Sequence, residues 1–362
     1  MSLNPGKEVR QPNIIGRSDY KVTDMPFVTI IVPCRNEEKY ISLCLNSLIL
    51  NDYLKDKMEI LVIDGLSSDN TEKIIREYEH QYKFIRLLSN KKKIFPVAVN
   101  IGVSEAIGEF VLIAGSHARY NPDYIKKCVD ACLRYNVDNA GGILITEPQA
   151  ENLISDLVTF VLSSPFGVGN STFRTGSDQV KEVDTVFGGC YRKDIFIKIG
   201  GFNENLISTS DLDFNRRLRK AGGKILLIPD IKAYYYTRST LGSFLRNNLR
   251  NGYWAVFPMA YLNYVPVSFR HLVPLFFIMS LLCTTAISFF LRESFYIGLI
   301  ILIAYLITAL LFSLRKGNAF HVIILPIFYF LLHITYGLGS LYGLVKIPLQ
   351  RYKIRNIDVI NK

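Results

Sequence analysis

Three stretches free of Lys, Arg, Asp and Glu close this chain: Leu272–Leu291, Ser294–Leu314 and Ala319–Val345. As helices, each is long enough to cross about 30 Å of hydrocarbon. In lipid a segment must satisfy its backbone hydrogen bonds internally, so this region has to be helical. Three such segments in succession, each flanked by charge, predict membrane insertion rather than three buried core helices. Upstream, charged and apolar residues mix as in a water-soluble domain. The average of 49% hydrophobic residues over 362 positions therefore blends two solvents.

These shifts divide the chain into a polar lead-in (1–26), a soluble domain (27–240), an interfacial stretch (241–270), a membrane region (271–346) and a basic tail (347–362). The stretch Leu241–Phe269, ahead of Arg270, mixes Arg246 and Arg250 with Tyr, Trp and Phe, the composition of amphipathic helices lying in the interface. The first sixteen residues, MSLNPGKEVRQPNIIG, hold no apolar core, so no secretory signal is expected. With the soluble domain inside, Arg315 and Lys316 fall inside too, as the positive-inside rule prefers. The tail from Lys346 would then fall outside if the last segment crosses once. Pro326, Gly337, Gly339 and Gly343 within it leave a bend, a re-entrant loop or a hairpin open. His333 in the same segment is expected to hydrogen-bond between helices.

A net charge of +11 spread without any nucleic-acid motif excludes nucleic acid as the expected partner. Anionic lipid headgroups are the partner this charge implies. The six cysteines show neither a CxxC pair nor zinc spacing, and are read as reduced thiols.

Phe27–Pro33 (FVTIIVP) and Glu59–Asp64 (EILVID) are short, β-branched apolar runs, the mark of parallel strands buried on both faces. Between them Ile41, Leu45, Leu48 and Ile49 line one side of a helix over Glu37–Leu50. Further strands are expected at Phe84–Leu88 and Phe110–Ala114. Alternating strands and helices predict an α/β, doubly wound, Rossmann-like domain. Beyond Pro148 the pattern loosens, and Ser163–Ser177 (SSPFGVGNSTFRTGS) reads as a long loop of the kind that carries function.

Ligands of such domains sit at the carboxyl ends of the strands. Three polar clusters lie there: Pro33-Cys34-Arg35-Asn36-Glu37, Asp64-Gly65-Leu66-Ser67-Ser68-Asp69-Asn70-Thr71, and Gly115-Ser116-His117. Some of Ser67–Thr71 is expected to cap a helix. Three clusters converging on one edge predict a binding crevice.

VTIIVPCRNEEKYISLCLNSL and EILVIDGLSSDNT resemble the opening of the inverting glycosyltransferases of family 2, which have the GT-A fold. NKKKIFPVAVNIG, SSPFGVGN, DTVFGGCYRKDIFIKIGGFNE and HITYGLGSLYGL are similar to the bacterial succinoglycan-biosynthesis-type, membrane-anchored branch. That resemblance implies an inverting, non-processive enzyme at the cytoplasmic (inner) membrane, multi-pass, with its catalytic domain cytoplasmic. It implies a nucleotide-sugar donor, UDP-linked, and a polyprenyl-diphosphate-linked saccharide acceptor. Transfer directly to polyprenyl phosphate, or a catalytically impaired nucleotide-sugar-binding membrane protein, are the alternatives.

Residue by residue, the resemblance implies that Pro33, Arg35 and Glu37 shape the nucleotide pocket and Asp64 hydrogen-bonds the uracil or ribose. Asp69 is open between donor contact and helix capping. Asn100 matches another donor-side position; Lys91–Lys93 beside it are open between drawing in a diphosphate and solvation. Gly188 and Gly189 match the acceptor-side wall. Asp211 falls on the catalytic base, with Ser210 in place of the usual Glu. His117 matches the metal ligand, but Gly115 replaces the first carboxylate of that motif. An imidazole site suits Mn2+ better than Mg2+. Arg250 and Trp254 lie where processive relatives carry Q-x-x-R-W, without the Gln and with the wrong spacing, which argues against long-chain synthesis. Arg250 is open between the departing diphosphate and lipid phosphates.

Overall fold

The computed structural model describes residues 25–237 and 239–360, with side chains to 354. The polar lead-in, save its last two residues, and the final residues of the basic tail lie outside the described residues. The first half is the expected alternation: β1 (Val28–Cys34), α1 (Ile41–Ile49), β2 (Met58–Asp64), α2 (Thr71–Gln81), β3 (Ile85–Ser89), α3 (Phe95–Glu105) and β4 (Phe110–Ile113). β1 pairs in parallel with β2 and with β4, and β2 with β3. Helices cover both faces, so every residue of β2 is buried. That is why these strands read as unbroken apolar runs.

The second half departs from a purely parallel sheet. It runs β5 (Ala118–Tyr120), α4 (Tyr124–Arg134), β6 (Asn139–Glu147), α5 (Leu153–Ser163), α6 (Pro165–Val168), α7 (Thr172–Thr175), β7 (Lys181–Glu182), β8 (Phe187–Arg192), α8 (Asp194–Ile199), α9 (Ser210–Lys220) and β9 (Ile225–Tyr236). The strand order is β3-β2-β1-β4-β8-β6-β9-β5, with β7 on β9. β8 is antiparallel to both neighbours, with Leu112 of β4 opposite Cys190. An antiparallel neighbour brings the start of β8 to the carboxyl end of β4, and so delivers Phe187 and Gly188 to the ligand edge. The expected loop Ser163–Ser177 holds two single-turn helices, α6 and α7, with Gly169 and Gly176 at positive φ between and after them.

Four helices follow: α10 (Leu241–Val256), α11 (Val273–Ser288), α12 (Glu293–Ser313) and α13 (Ala319–Ile360). Two helical spans, Glu293–Lys316 and Ala319–Ile354, are long and apolar enough to cross a membrane. α11, at 16 residues, is about 24 Å long and falls short of that length. Of the three expected segments, then, the first is only a short apolar helix. It pairs with α12 in a hairpin whose tip carries Phe289 and Phe290, 84% and 95% exposed. Such a surface calls for an apolar solvent.

The last segment neither splits nor forms a hairpin. α13 is one helix with Pro326 and Pro348 inside it, and its glycines are contact points rather than breaks. Ser340 Oγ donates to the Gly252 carbonyl of α10 at 3.0 Å. A Cβ on Gly339 would stand 2.1 Å from the Leu249 carbonyl oxygen, and one on Gly252 only 1.8 Å from that of Tyr336. Small residues let two helix backbones approach this closely. His333 bonds Tyr305 of α12 at 2.8 Å, the interhelical role expected of it. The start of α13 is tied to the soluble domain and its far end to the stretch after α10. Asp156 of α5 pairs with Lys316 at 2.8 Å and His321 at 2.9 Å, and Arg351 donates to the Met259 carbonyl at 2.6 Å.

Candidate active site

The turns after β1 and β2 are laced together by side chains. Asp64, the buried last residue of β2, accepts from the Ser67 backbone N–H at 3.0 Å and its hydroxyl at 2.5 Å. Ser67 Oγ in turn accepts from the Asn36 N–H at 2.8 Å, and Asn36 Oδ1 accepts from the Ser68 N–H at 2.8 Å. Asn36 and Leu66 hold positive φ to make these turns. Pro33, next to last in β1, is half-buried, while Arg35 is exposed and lays its stem against Gly65. Pro33, Arg35, Glu37 and Asp64 thus share one rim.

Asp69 belongs to the lacing. One oxygen accepts from the Thr71 N–H and hydroxyl, at 3.0 and 2.5 Å, and the other from the Glu38 N–H at 3.2 Å. Desolvation nudges its pKa up, but these bonds outweigh it and hold the carboxyl below the usual range. Of its two open roles, the contacts favour capping.

Glu37 reaches across to the third cluster. Its Oε1 lies 3.2 Å from His117 Nδ1, and the imidazole edge meets the Tyr235 ring at 5.1 Å between centroids. A proton on Nδ1, donated to Glu37, leaves the Nε2 lone pair free; carboxylates orient metal-binding imidazoles in this way. A side chain at Gly115 would meet the Phe187 ring at 3.2 Å. The absence of a carboxylate there is therefore matched by an aromatic ring delivered from β8. Among the described residues, no three His, Cys, Asp or Glu gather around one point. The set fits an ion held mainly by a diphosphate, with His117 as the protein's ligand.

Asp211 and Asp213 open α9 together, yet their surroundings differ. Asp213 is buried and occupied: Arg217 Nε donates to it at 2.9 Å and the Tyr264 hydroxyl at 2.5 Å. Asp211 is half-buried, and among the described residues no side chain hydrogen-bonds it. Burial raises its pKa, and the helix-start N–H groups of 211 and 212 only partly oppose this. Its charge also reaches β8: burial first, then Asp211, push the Tyr191 phenol up. Tyr191 follows Gly188 and Gly189 on β8 and bonds Asn215 of α9 at 3.0 Å. Gly188 sits at φ +57, where a Cβ would strike Tyr124 Oη at 2.6 Å. Ser210 is buried, so the Glu it replaces would add a second desolvated carboxylate beside Asp211.

Other expected site residues are engaged elsewhere. Asn100 clamps the turn before α9, accepting from the Phe202 N–H at 2.8 Å and donating to its carbonyl at 2.9 Å. Lys92 pairs with Glu204 at 2.7 Å. Arg250 is exposed on α10 and bonds Asn247 at 3.1 Å. Trp254 packs edge-on against Tyr253 and Phe257. Sequence patterning does not single out Tyr235 or Arg174, although Arg174 is the sole charge in Ser163–Ser177.

A family model described as "Glycosyl transferase family 2" matches residues 29–200. The dolichyl N-acetyl-alpha-D-glucosaminyl phosphate 3-beta-D-2,3-diacetamido-2,3-dideoxy-beta-D-glucuronosyltransferase of Methanococcus voltae is 30% identical over 342 residues, covering 89% of this chain and 98% of that relative. The succinoglycan biosynthesis protein ExoA of Rhizobium meliloti is 26% identical over 214 residues, 59% of this chain and 64% of its own. Among solved structures, the mannosyltransferase PcManGT from Pyrobaculum calidifontis, in complex with GDP-Man and Mn2+, has a TM-score of 0.59 at 17% identity. It covers 92% of this chain and 91% of that one, and shows the GT-A fold.

Proposed function

The chain belongs to glycosyl transferase family 2, and from that premise we propose that it moves a sugar from a UDP-linked donor to a lipid-linked saccharide, one residue per acceptor. Enzymes of this family invert the anomeric carbon. The single observation that carries the reading is Asp211: a carboxylate with no side-chain hydrogen bond, raised in pKa, facing the β8 wall beside its fully occupied neighbour Asp213. A base whose pKa is drawn toward the working pH is what proton removal needs.

In the proposed reaction the nucleoside lies along the rim of Arg35 and Asp64, whose buried carboxylate accepts from base or ribose donors. The acceptor hydroxyl approaches from the Gly188–Gly189 side. Its oxygen bonds to the anomeric carbon as the bond to the diphosphate breaks, and its proton passes to Asp211. His117 would hold a divalent ion, Mn2+ in preference to Mg2+, with Glu37 fixing the imidazole; when bound, such an ion supplies positive charge to the diphosphate. Chelation with EDTA is expected to lower activity by more than about tenfold, with Mn2+ restoring it better than Mg2+. Glu37→Gln should weaken Mn2+ binding about 10–100-fold. Full activity in chelator would remove the metal from the reaction.

The apolar hairpin and α13 support a site at the cytoplasmic (inner) membrane, multi-pass, with the soluble domain on the cytoplasmic side and exposed Arg246 and Arg250 toward anionic headgroups. The Methanococcus voltae relative is named for a dolichyl-linked acceptor, and this supports an acceptor presented from lipid. The test offers radiolabelled nucleotide sugars to detergent-purified protein with lipid-linked saccharides or with polyprenyl phosphate alone. Label in extended lipid-linked saccharide is the expected product. Label only on bare polyprenyl phosphate would move the activity one step earlier. Saturable donor binding with no transfer to either would deny catalysis.

A further inference from the structure

Among the described residues, one strong cation near the site has no counter-ion. Arg174 lies in α7, in the segment that packs between β6 and α5. Its Nη1 is buried and has no hydrogen-bond partner among the described residues. No described carboxylate pairs with it either. Its guanidinium carbon is 5.4 Å from the Phe173 ring centre and 5.7 Å from that of Tyr235. Tyr235 is the same ring that meets His117. Burial alone pulls the Arg174 pKa down from its ordinary value, yet an Arg does not lose its proton in a protein. The side chain as a whole is half-buried, and leaving the buried part of its charge unpaired is unfavourable. The position therefore suits an anion that arrives with a ligand.

We infer that Arg174 is a phosphate-binding residue: its guanidinium takes an oxygen of the diphosphate carried by the nucleotide donor, beside the Tyr235 ring that it shares with His117. The inference rests on the donor reading above and extends it. The reaction's charge flow calls for such a group. As the acceptor oxygen bonds to the anomeric carbon, the electron pair of the breaking bond goes to the terminal phosphate oxygen, and the acceptor proton goes to Asp211. The departing diphosphate gains one negative charge. A preformed cation in a water-poor site stabilises that charge more than one in water would. A guanidinium also presents its donors in a fixed fork that matches two phosphate oxygens, a geometry an ammonium does not hold. Arg250, by contrast, is solvated on α10 and already bonded to Asn247, so Arg174 is the better placed of the two.

The experiment titrates UDP, GDP and the parent nucleosides into detergent-solubilised full-length wild type, Arg174→Ala, Arg174→Lys and Arg174→Met, in Mn2+ and in EDTA. Whichever nucleoside diphosphate binds wild type should bind Arg174→Ala about 10–100-fold more weakly. The parent nucleoside should bind both equally, and Arg174→Lys should recover part of the loss. The deficit should be larger in EDTA, where Arg174 acts without the ion. Arg174→Met keeps the stem and removes an unpaired charge, so its melting temperature without ligand should equal or exceed that of wild type. A lower one would mark a packing role and overturn the inference, as would unchanged diphosphate affinity in Arg174→Ala. Unchanged affinity with a raised KM for the lipid-linked acceptor would reassign Arg174 to the acceptor's phosphate. If wild type binds no nucleoside diphosphate, the donor reading fails first.

Discussion

Replacing Asp211 with Asn should cut sugar transfer by about 10²–10⁴-fold, the usual contribution of a positioned general base, while leaving donor affinity close to wild type. The carboxamide keeps the shape and loses only the ability to take a proton. A stability signature accompanies the loss. The folded protein raises the Asp211 pKa above its ordinary 3.8, so the fold disfavours the ionised form. That cost is absent below the unfolded value and fully present above the folded one. Asp211→Asn never ionises. It should therefore melt at a higher temperature than wild type at neutral pH, with the advantage shrinking as pH falls through the folded pKa toward 3.8. Thermal melts across pH, run beside initial rates, check both halves. An active variant would take Asp211 out of the chemistry, and a variant that melts lower at neutral pH would contradict the buried-carboxylate account.

The second large effect is expected far from any substrate. At Gly252 a Cβ would lie 1.8 Å from the Tyr336 carbonyl oxygen of α13. That obstacle is backbone and cannot rotate aside, so Gly252→Val must push two helices apart. Overpacking of this kind costs about 1–3 kcal/mol even where side chains can yield, and more is expected here. Gly242→Ala, in the first turn of the same helix, meets nothing within 4 Å and should be neutral or stabilising by up to about 1 kcal/mol. Melting temperatures of the two variants in the same detergent give the comparison. Equal values would mean that the helix crossing carries little of the fold's stability.

The first half of the domain is legible in the sequence because its strands are buried on both faces and its ligand-edge residues sit directly after them. Asp64 and Glu37 follow from that rule alone. The second half is not legible in the same way. β8 joins the sheet antiparallel between β4 and β6, and only that register sets Phe187 against Gly115. The Glu37–His117 pair needs two loops 80 residues apart to meet, which no local pattern encodes. Asp211 and Asp213 look alike in sequence; Arg217 and Tyr264 separate them only once α9 has packed. The membrane region shows a third kind of ambiguity. Apolar length reads the same whether a helix leaves its apolar side chains exposed, as the α11–α12 hairpin does, or packs on a neighbouring helix, as much of α13 does. Its glycines suggest breaks in one dimension and contacts in three.

Leu212, the neighbour of Asp211, packs into the cluster of Ala255, Val256, Val267 and Leu275 where α10 and α11 meet. Arg216, one turn on, donates to the Val265 carbonyl at 2.7 Å. The turn that bears Asp211 is thus bolted to the apolar helices, and under the proposed function its carboxylate stands at a set height above the bilayer. An acceptor rooted in that bilayer must present its hydroxyl at the same height. Under that proposal the anchor would act as a ruler, sorting lipid-linked sugars by how far they reach as well as by what they are.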